Sequence, residues 1–157
     1  MEIGDKFPDF VLLDENGDEF KSSDLYGIRY VIYFYPRDST PGCTREAVEF
    51  TGSFGSFMLR NIPIIGVSKD SVQSHKKFSD KNNLKIKLLS DPEHSLIEAA
   101  GAWGEKKSYG RINVGTIRST FIIGKDGCVE AMWKNVRIDG HVDAVLEKAI
   151  SLSKKNS

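Results

Sequence analysis

Six consecutive apolar or aromatic residues, Tyr30-Val31-Ile32-Tyr33-Phe34-Tyr35, run up to Pro36. A strand wetted on one side alternates apolar with polar side chains, and this one does not. It therefore reads as a strand covered on both faces. Pro36, which cannot donate to a sheet ladder, ends it. A strand of this kind needs helices above and below its sheet.

The downstream periodicity supplies them. Ala47, Phe50, Phe54, Phe57 and Met58 recur at helical spacing, which predicts a helix from Pro41 to about Leu59. Thr40 suits its N-cap and Pro41 its first position. Residues 62–67 read as a second buried strand, 71–82 as a helix with a weak apolar stripe, and 87–90 as a short third strand. Asp91-Pro92 opens a short helix that Gly101 closes. A Gly-rich stretch runs from 101 to 115, without phosphate-loop spacing. Residues 119–123 and 128–133 flank Asp126-Gly127, a strong hairpin signal. Val142, Val145, Leu146, Ala149 and Ile150 form the stripe of a last helix. Ahead of the long strand, extended pieces at 10–13 and 19–21 bracket the turn residues Asp14-Glu15-Asn16-Gly17.

The order β–α–β–α–β–α–β–β–α predicts an α/β, thioredoxin-like fold with an N-terminal β extension and a central mixed sheet flanked by helices. The 157 residues hold no repeat or linker, so one domain is expected over 1–153, with a loose polar tail over 154–157.

Composition excludes several classes. The 22 basic and 22 acidic residues cancel, which argues against a nucleic-acid partner. No apolar run reaches the roughly 18 residues of a membrane span. The N-terminus lacks the basic start and apolar core of a secretory signal. The two cysteines, Cys43 and Cys128, are too few for a disulfide framework and too far apart for a zinc site, so a cytoplasmic setting is expected. No metal, haem, flavin or nucleotide motif is visible, so no cofactor is expected.

Cys43 sits where the buried strand gives way to a helix, a junction at which α/β folds place their sites. In the first helical turn, unpaired N–H groups and the positive end of the helix dipole favour thiolate over thiol. Pro41-Gly42 lets the backbone approach closely. Spacing excludes other thiol chemistries. A dithiol oxidoreductase needs cysteine at position 40 or 46, which hold Thr40 and Glu46; a copper site needs it at Ala47; a phosphatase loop needs arginine at Glu49. A cysteine protease needs a histidine base, and His75, His94 and His141 read as surface or packing residues. What remains is a lone thiolate acting on a substrate that needs no general base. Peroxide fits, because a thiolate attacks the weak O–O bond directly to give a sulfenic acid. Thr40 and the Cys43 N–H are placed to hold the peroxide oxygens.

Pro36-x-x-x-Thr40-x-x-Cys43 resembles the active-site signature of the peroxiredoxins. The fuller string Tyr33-Phe34-Tyr35-Pro36…Thr40-Pro41-Gly42-Cys43-Thr44-x-Glu46 resembles the bacterioferritin-comigratory-protein, or PrxQ-like, subgroup. Gly4-Asp5-Lys6-x-Pro8-Asp9-Phe10, Gly104-Glu105-Lys106-Lys107…Tyr109-Gly110 and Arg118-Ser119-Thr120-Phe121 extend the likeness over most of the chain. The resemblance implies a thiol-dependent peroxidase with Cys43 peroxidatic, Thr40 orienting peroxide, Pro36 shielding the sulfur from water and Arg118 placing a guanidinium beside it. Gly42 supports this segment. Glu46, one helical turn after Cys43, is expected either to hold Arg118 or to be a surface carboxylate. Arg37 and Arg45 read as solvent-facing.

Many members of the subgroup carry a second cysteine five residues after the first, where this chain has Val48. Cys128 is a poor substitute: the strand from Arg118 to Lys125 spans about 23 Å at ~3.3 Å per residue, whereas a disulfide needs Cα atoms within about 7 Å. The expectation is a one-cysteine cycle completed by an external thiol, from a thioredoxin-like protein or a small molecule. The competing readings are a redox sensor using the same thiolate without efficient turnover, and an inactive structural module. A monomer or a homodimer is expected; Phe54, Phe57 and Trp103 read as core packing.

Overall fold

The computed structural model describes residues 1–155. In chain order the strands are β1 (Val11–Asp14), β2 (Glu19–Lys21), β3 (Tyr30–Phe34), β4 (Ile64–Ser68), β5 (Lys87–Ser90), β6 (Trp103–Ser108), β7 (Arg111–Thr116), β8 (Ser119–Ile123) and β9 (Val129–Lys134). The helices are α1 (Pro41–Gly52), α2 (Phe54–Met58), α3 (Val72–Asn82), α4 (Ser95–Ala99) and α5 (His141–Lys155). Seven strands form one mixed sheet in the order β2-β1-β5-β4-β3-β8-β9. β3, β4 and β5 run parallel, while the β8–β9 and β1–β2 pairs are antiparallel.

β3 is buried throughout, and its alternate side chains feed two cores. Val31 and Tyr33 point into one with Phe50, Phe57, Phe78 and Val145. Tyr30, Ile32 and Phe34 point into the other with Phe7, Phe10, Leu96 and Phe121. α1, α2, α3 and α5 cover the first face; α4 and the N-terminal segment cover the second. The expected thioredoxin-like α/β layering is therefore present.

Several elements differ from the expected ones. The helix predicted over 41–59 is two helices broken at Ser53, because Gly52, Ser53 and Gly55 gather poor helix formers in one turn. Its apolar stripe survives the break, with Phe57 buried and Phe54 packed beside it. The helix predicted from Asp91-Pro92 begins at Ser95 instead. Asp91 serves it from outside, its carboxylate accepting from the N–H groups of Ser95 (3.1 Å) and Ile97 (2.9 Å). The Gly-rich stretch is a hairpin, β6–β7, turned by Tyr109 (φ 51°) and Gly110 (φ 75°). Positive φ at both turn residues matches the twist of paired strands. Lys154 and Lys155, expected in a loose tail, belong to α5; the remainder of that tail, 156–157, lies outside the described residues.

His141 opens α5 and is buried against the sheet. Its Nε2 lies 2.8 Å from the Thr120 hydroxyl, and its ring stands edge-on to Phe50 and Trp133. Burial, aided by the charge of Arg118, pulls its pKa from 6.5 down to about 4. The unfolded chain then binds more protons than the folded one between these values, so this group's contribution is present above pH 6.5 and lost as pH falls towards 4. His141→Gln keeps a polar tip but cannot titrate. Urea unfolding at pH ~7 and ~4.5 is expected to show a smaller acid loss of stability in the variant than in the parent chain. Equal losses would show that His141 does not sense pH.

Candidate active site

The antiparallel pairing of β3 with β8 sets Phe34 opposite Ser119. The carboxyl end of β3, which leads into α1, thus lies beside the start of β8, and Arg118 immediately precedes that start. Thr40 has the extended backbone of an N-cap (φ −88°, ψ 153°), Pro41 and Gly42 follow, and Cys43 is the third helical residue. The first helical hydrogen bond runs from the Thr44 N–H to the Thr40 carbonyl (2.9 Å), so the Cys43 N–H lies ahead of the ladder.

Arg118 crosses to this turn and grips it twice. One guanidinium nitrogen donates to Cys43 Sγ at 3.2 Å; the other donates to Glu46 Oε1 at 2.6 Å. Cys43 is only 2% exposed and Glu46 is wholly buried. Glu46 is thus an anchor for Arg118, not the alternative surface carboxylate. Burial pushes its carboxyl up to about 7, against the opposing pull of Arg118. Its proton linkage runs opposite to that of His141: the contribution is present at low pH and lost as pH rises through about 7. Burial also works against the charge of Arg118, but its contacts with Glu46 and Cys43 outweigh that and raise its pKa.

Gly42 leaves room for Ile138 beside the guanidinium. A Cβ there would sit 3.2 Å from Ile138 Cδ1 and 3.5 Å from the Arg118 guanidinium. Thr40 does not cap with its side chain as its position suggests; its hydroxyl donates to the Arg37 carbonyl at 2.9 Å. With its proton committed, that oxygen is left as an acceptor towards a ligand O–H. Pro36 and Arg118 line one open cavity with Ile117, Lys106, Asn135 and Val136. Burial and the nearby Arg118 lower the pKa of Lys106, while Cys43 raises it.

The sequence reading thus assembles at one place: Pro36, Thr40, Gly42, Cys43, Glu46 and Arg118. Arg37 and Arg45 face solvent as expected, Arg45 pairing with Glu49 and Asp139. Val48 is 45% exposed on α1. Cys128 is half-buried at the turn end of β8–β9, bridged to Lys6, and β8 separates it from Arg118. The place of Lys106 in this cavity was missed, because a charged residue in a Gly-rich stretch gives no sign of lying near Arg118. Asp38 and His75 were also missed. They form a buried pair beneath the loop, Nδ1 to Oδ2 2.7 Å.

The chain has clear counterparts among known proteins. The AhpC/TSA family profile matches residues 3–132. Peroxiredoxin Bcp of Bacillus subtilis is 44% identical over 155 residues, covering 99% of each chain. Among solved structures, a mutant PrxQ of Xylella fastidiosa superposes with a TM-score of 0.91 at 34% identity over 98% of both chains. The bacterioferritin comigratory protein of Xanthomonas campestris, studied for alkyl peroxide reduction, superposes at 0.87 with 38% identity over 92% of each chain. By sequence over nearly its whole length, and by fold, this chain belongs to the AhpC/TSA family, among the Bcp and PrxQ-like peroxiredoxins, which are thiol-dependent peroxidases.

Proposed function

We propose that Cys43 reduces hydrogen peroxide and organic hydroperoxides in a one-cysteine cycle completed by an external thiol. The observation that carries this reading is the 3.2 Å contact from Arg118 to Cys43 Sγ. A guanidinium there is positioned to meet the charge that develops on the departing oxygen. The Thr40 oxygen accepts from the peroxide O–H, and the Cys43 N–H donates to an oxygen, which aligns the O–O bond with Sγ. Pro36 and the surrounding wall limit water at the sulfur.

In the first step the thiolate displaces alkoxide or hydroxide from ROOH. The S–O bond forms, the O–O bond breaks, sulfur is oxidised to sulfenic acid, and the leaving oxygen takes a proton as ROH. An external thiol then condenses with the sulfenic acid, releasing water and leaving a mixed disulfide. A second thiol attacks that disulfide, freeing Cys43 and carrying away an oxidised thiol pair. Exposed Val48 and remote Cys128 support an external donor. Residues 1–153 act as one unit in this cycle. Two free cysteines suit a reducing compartment, the cytoplasm.

Cys43→Ser abolishes sustained peroxide consumption in the presence of a dithiol, while Cys128→Ser leaves it unchanged. A wild type that stops after one equivalent of peroxide would favour the sensor. Mass spectrometry of peroxide-treated protein should find sulfenic and then sulfinic Cys43; a stoichiometric Cys43–Cys128 disulfide would overturn the one-cysteine cycle. Arg118→Lys, which cannot reproduce the two-nitrogen grip, should slow the peroxide step about 10²-fold. Gly42→Ala should slow it up to about tenfold by pressing on Ile138, which lies beside the guanidinium, with the fold retained. Rapid-mixing rates for both variants equal to those of the parent chain would remove Arg118 from the mechanism.

A further inference from the structure

Asp38 lies in the loop between β3 and α1, two residues before Thr40, and is 5% exposed. Its Oδ1 accepts from the Tyr35 hydroxyl at 2.6 Å, and its Oδ2 accepts from the Ser74 hydroxyl at 2.8 Å. The same Oδ2 faces His75 Nδ1 at 2.7 Å. Its backbone N–H donates to Asp70 Oδ2 at 2.9 Å, and the Ser68 hydroxyl donates to that oxygen at 2.6 Å. His75, on α3, is fully buried, and its other nitrogen, Nε2, faces the Leu89 carbonyl of β5 at 3.0 Å.

The protons in this cluster can be assigned from its acceptors. The Leu89 carbonyl has no proton to give, so Nε2 carries one. A carboxylate oxygen 2.7 Å from Nδ1 requires another between them. Tyr35 and Ser74 donate into the same carboxyl group and hold it in place. The arrangement is a buried imidazole–carboxyl pair joined through one shared proton. Such a network strongly fixes geometry, because removing one partner leaves buried polar groups unsatisfied. The atoms of Asp38, Asp70 and His75 that lie within 4.8 Å of one another are occupied by these mutual bonds.

This cluster bears on both halves of the proposed cycle. Peroxide is small enough to reach a sulfur that is 2% exposed. A mixed disulfide requires a second sulfur about 2.05 Å from Sγ with its own substituent behind it. The segment carrying Cys43 must therefore move outward for the thiol step, and the buried pair opposes that movement from below.

We propose that Asp38 and His75 are positioning residues: the pair holds the Thr40–Cys43 segment in its peroxide-reactive geometry and restrains the opening that admits the reducing thiol. The proposal rests on Cys43 being peroxidatic. Its signature is opposite movement of the two half-reactions.

The test measures both by rapid mixing in the full chain: oxidation of Cys43 by hydrogen peroxide, and reduction of the pre-formed sulfenic acid by dithiothreitol. Asp38→Ala should slow oxidation about 10- to 100-fold and speed reduction several-fold. Asp38→Asn should bring both back towards wild type, since its amide can donate to a neutral His75 Nδ1 while its carbonyl accepts from Tyr35. If Asp38→Ala does not fold, Ser74→Ala, which removes one donor to the pair, should shift both rates in the same opposite senses by a smaller factor. Rates that fall together, or do not change, would overturn the positioning role. A wild type whose Cys43 is not oxidised at all would instead overturn the peroxidatic assignment beneath it.

Discussion

The pairing of β3 with β8 is the constraint on which the site depends. It joins two segments far apart in the chain, and its register decides what they carry to each other. With Phe34 opposite Ser119, the first turn of α1 and Arg118 emerge on the same side at the same height. A one-residue slip would turn every β8 side chain to the wrong face, and burial on both sides forbids it. Val31 and Tyr33 belong to one core, Ile32 and Phe34 to the other, so neither face can be given up. The packing of two cores thereby fixes a sulfur–guanidinium contact at the margin of the first, to which Cys43 belongs.

The charges at that contact form a closed set. Arg118 lies between a buried carboxyl and a buried sulfur and donates to both. Without Glu46 the guanidinium would have a single partner and freedom to swing. Without Arg118 the carboxyl would be an uncompensated group in the core, which is costly. Among the described residues the second oxygen of Glu46 has no hydrogen-bond partner, in keeping with a carboxyl that burial drives towards its neutral form. Rigidity is achieved with few parts because each part is held by another that is itself buried.

What could be read from the residues follows from how local the signal is. The run at β3, the Pro41 helix start, the Asp126-Gly127 hairpin and the stripe of α5 each state their structure within a few residues, and all are present. Cys43 was legible for the same reason, since its chemistry comes from its place in a helical turn. The β6–β7 hairpin was not, because its strands mix glycines and charges with exposed Ile112 and Val114, and its turn begins with Tyr109 instead of asparagine or aspartate. The split between α1 and α2 was hidden by an apolar stripe that continues across it. Asp38 and His75 were invisible because each is unremarkable alone; only the fold brings a loop acid and a helix imidazole together across 37 residues of chain. The role of Glu46 stayed open in the sequence, since helical spacing gives its direction from Cys43 but says nothing of what covers it.

Val48, exposed on α1, has a consequence for how this chemistry scales. A thiol tethered on the same helix would act at millimolar effective concentration regardless of its surroundings. A donor arriving by diffusion acts only at the level its surroundings maintain. In the proposed cycle, regeneration therefore follows the ambient supply of reductant, and a surge of oxidant that depletes this supply leaves the sulfur exposed to irreversible damage.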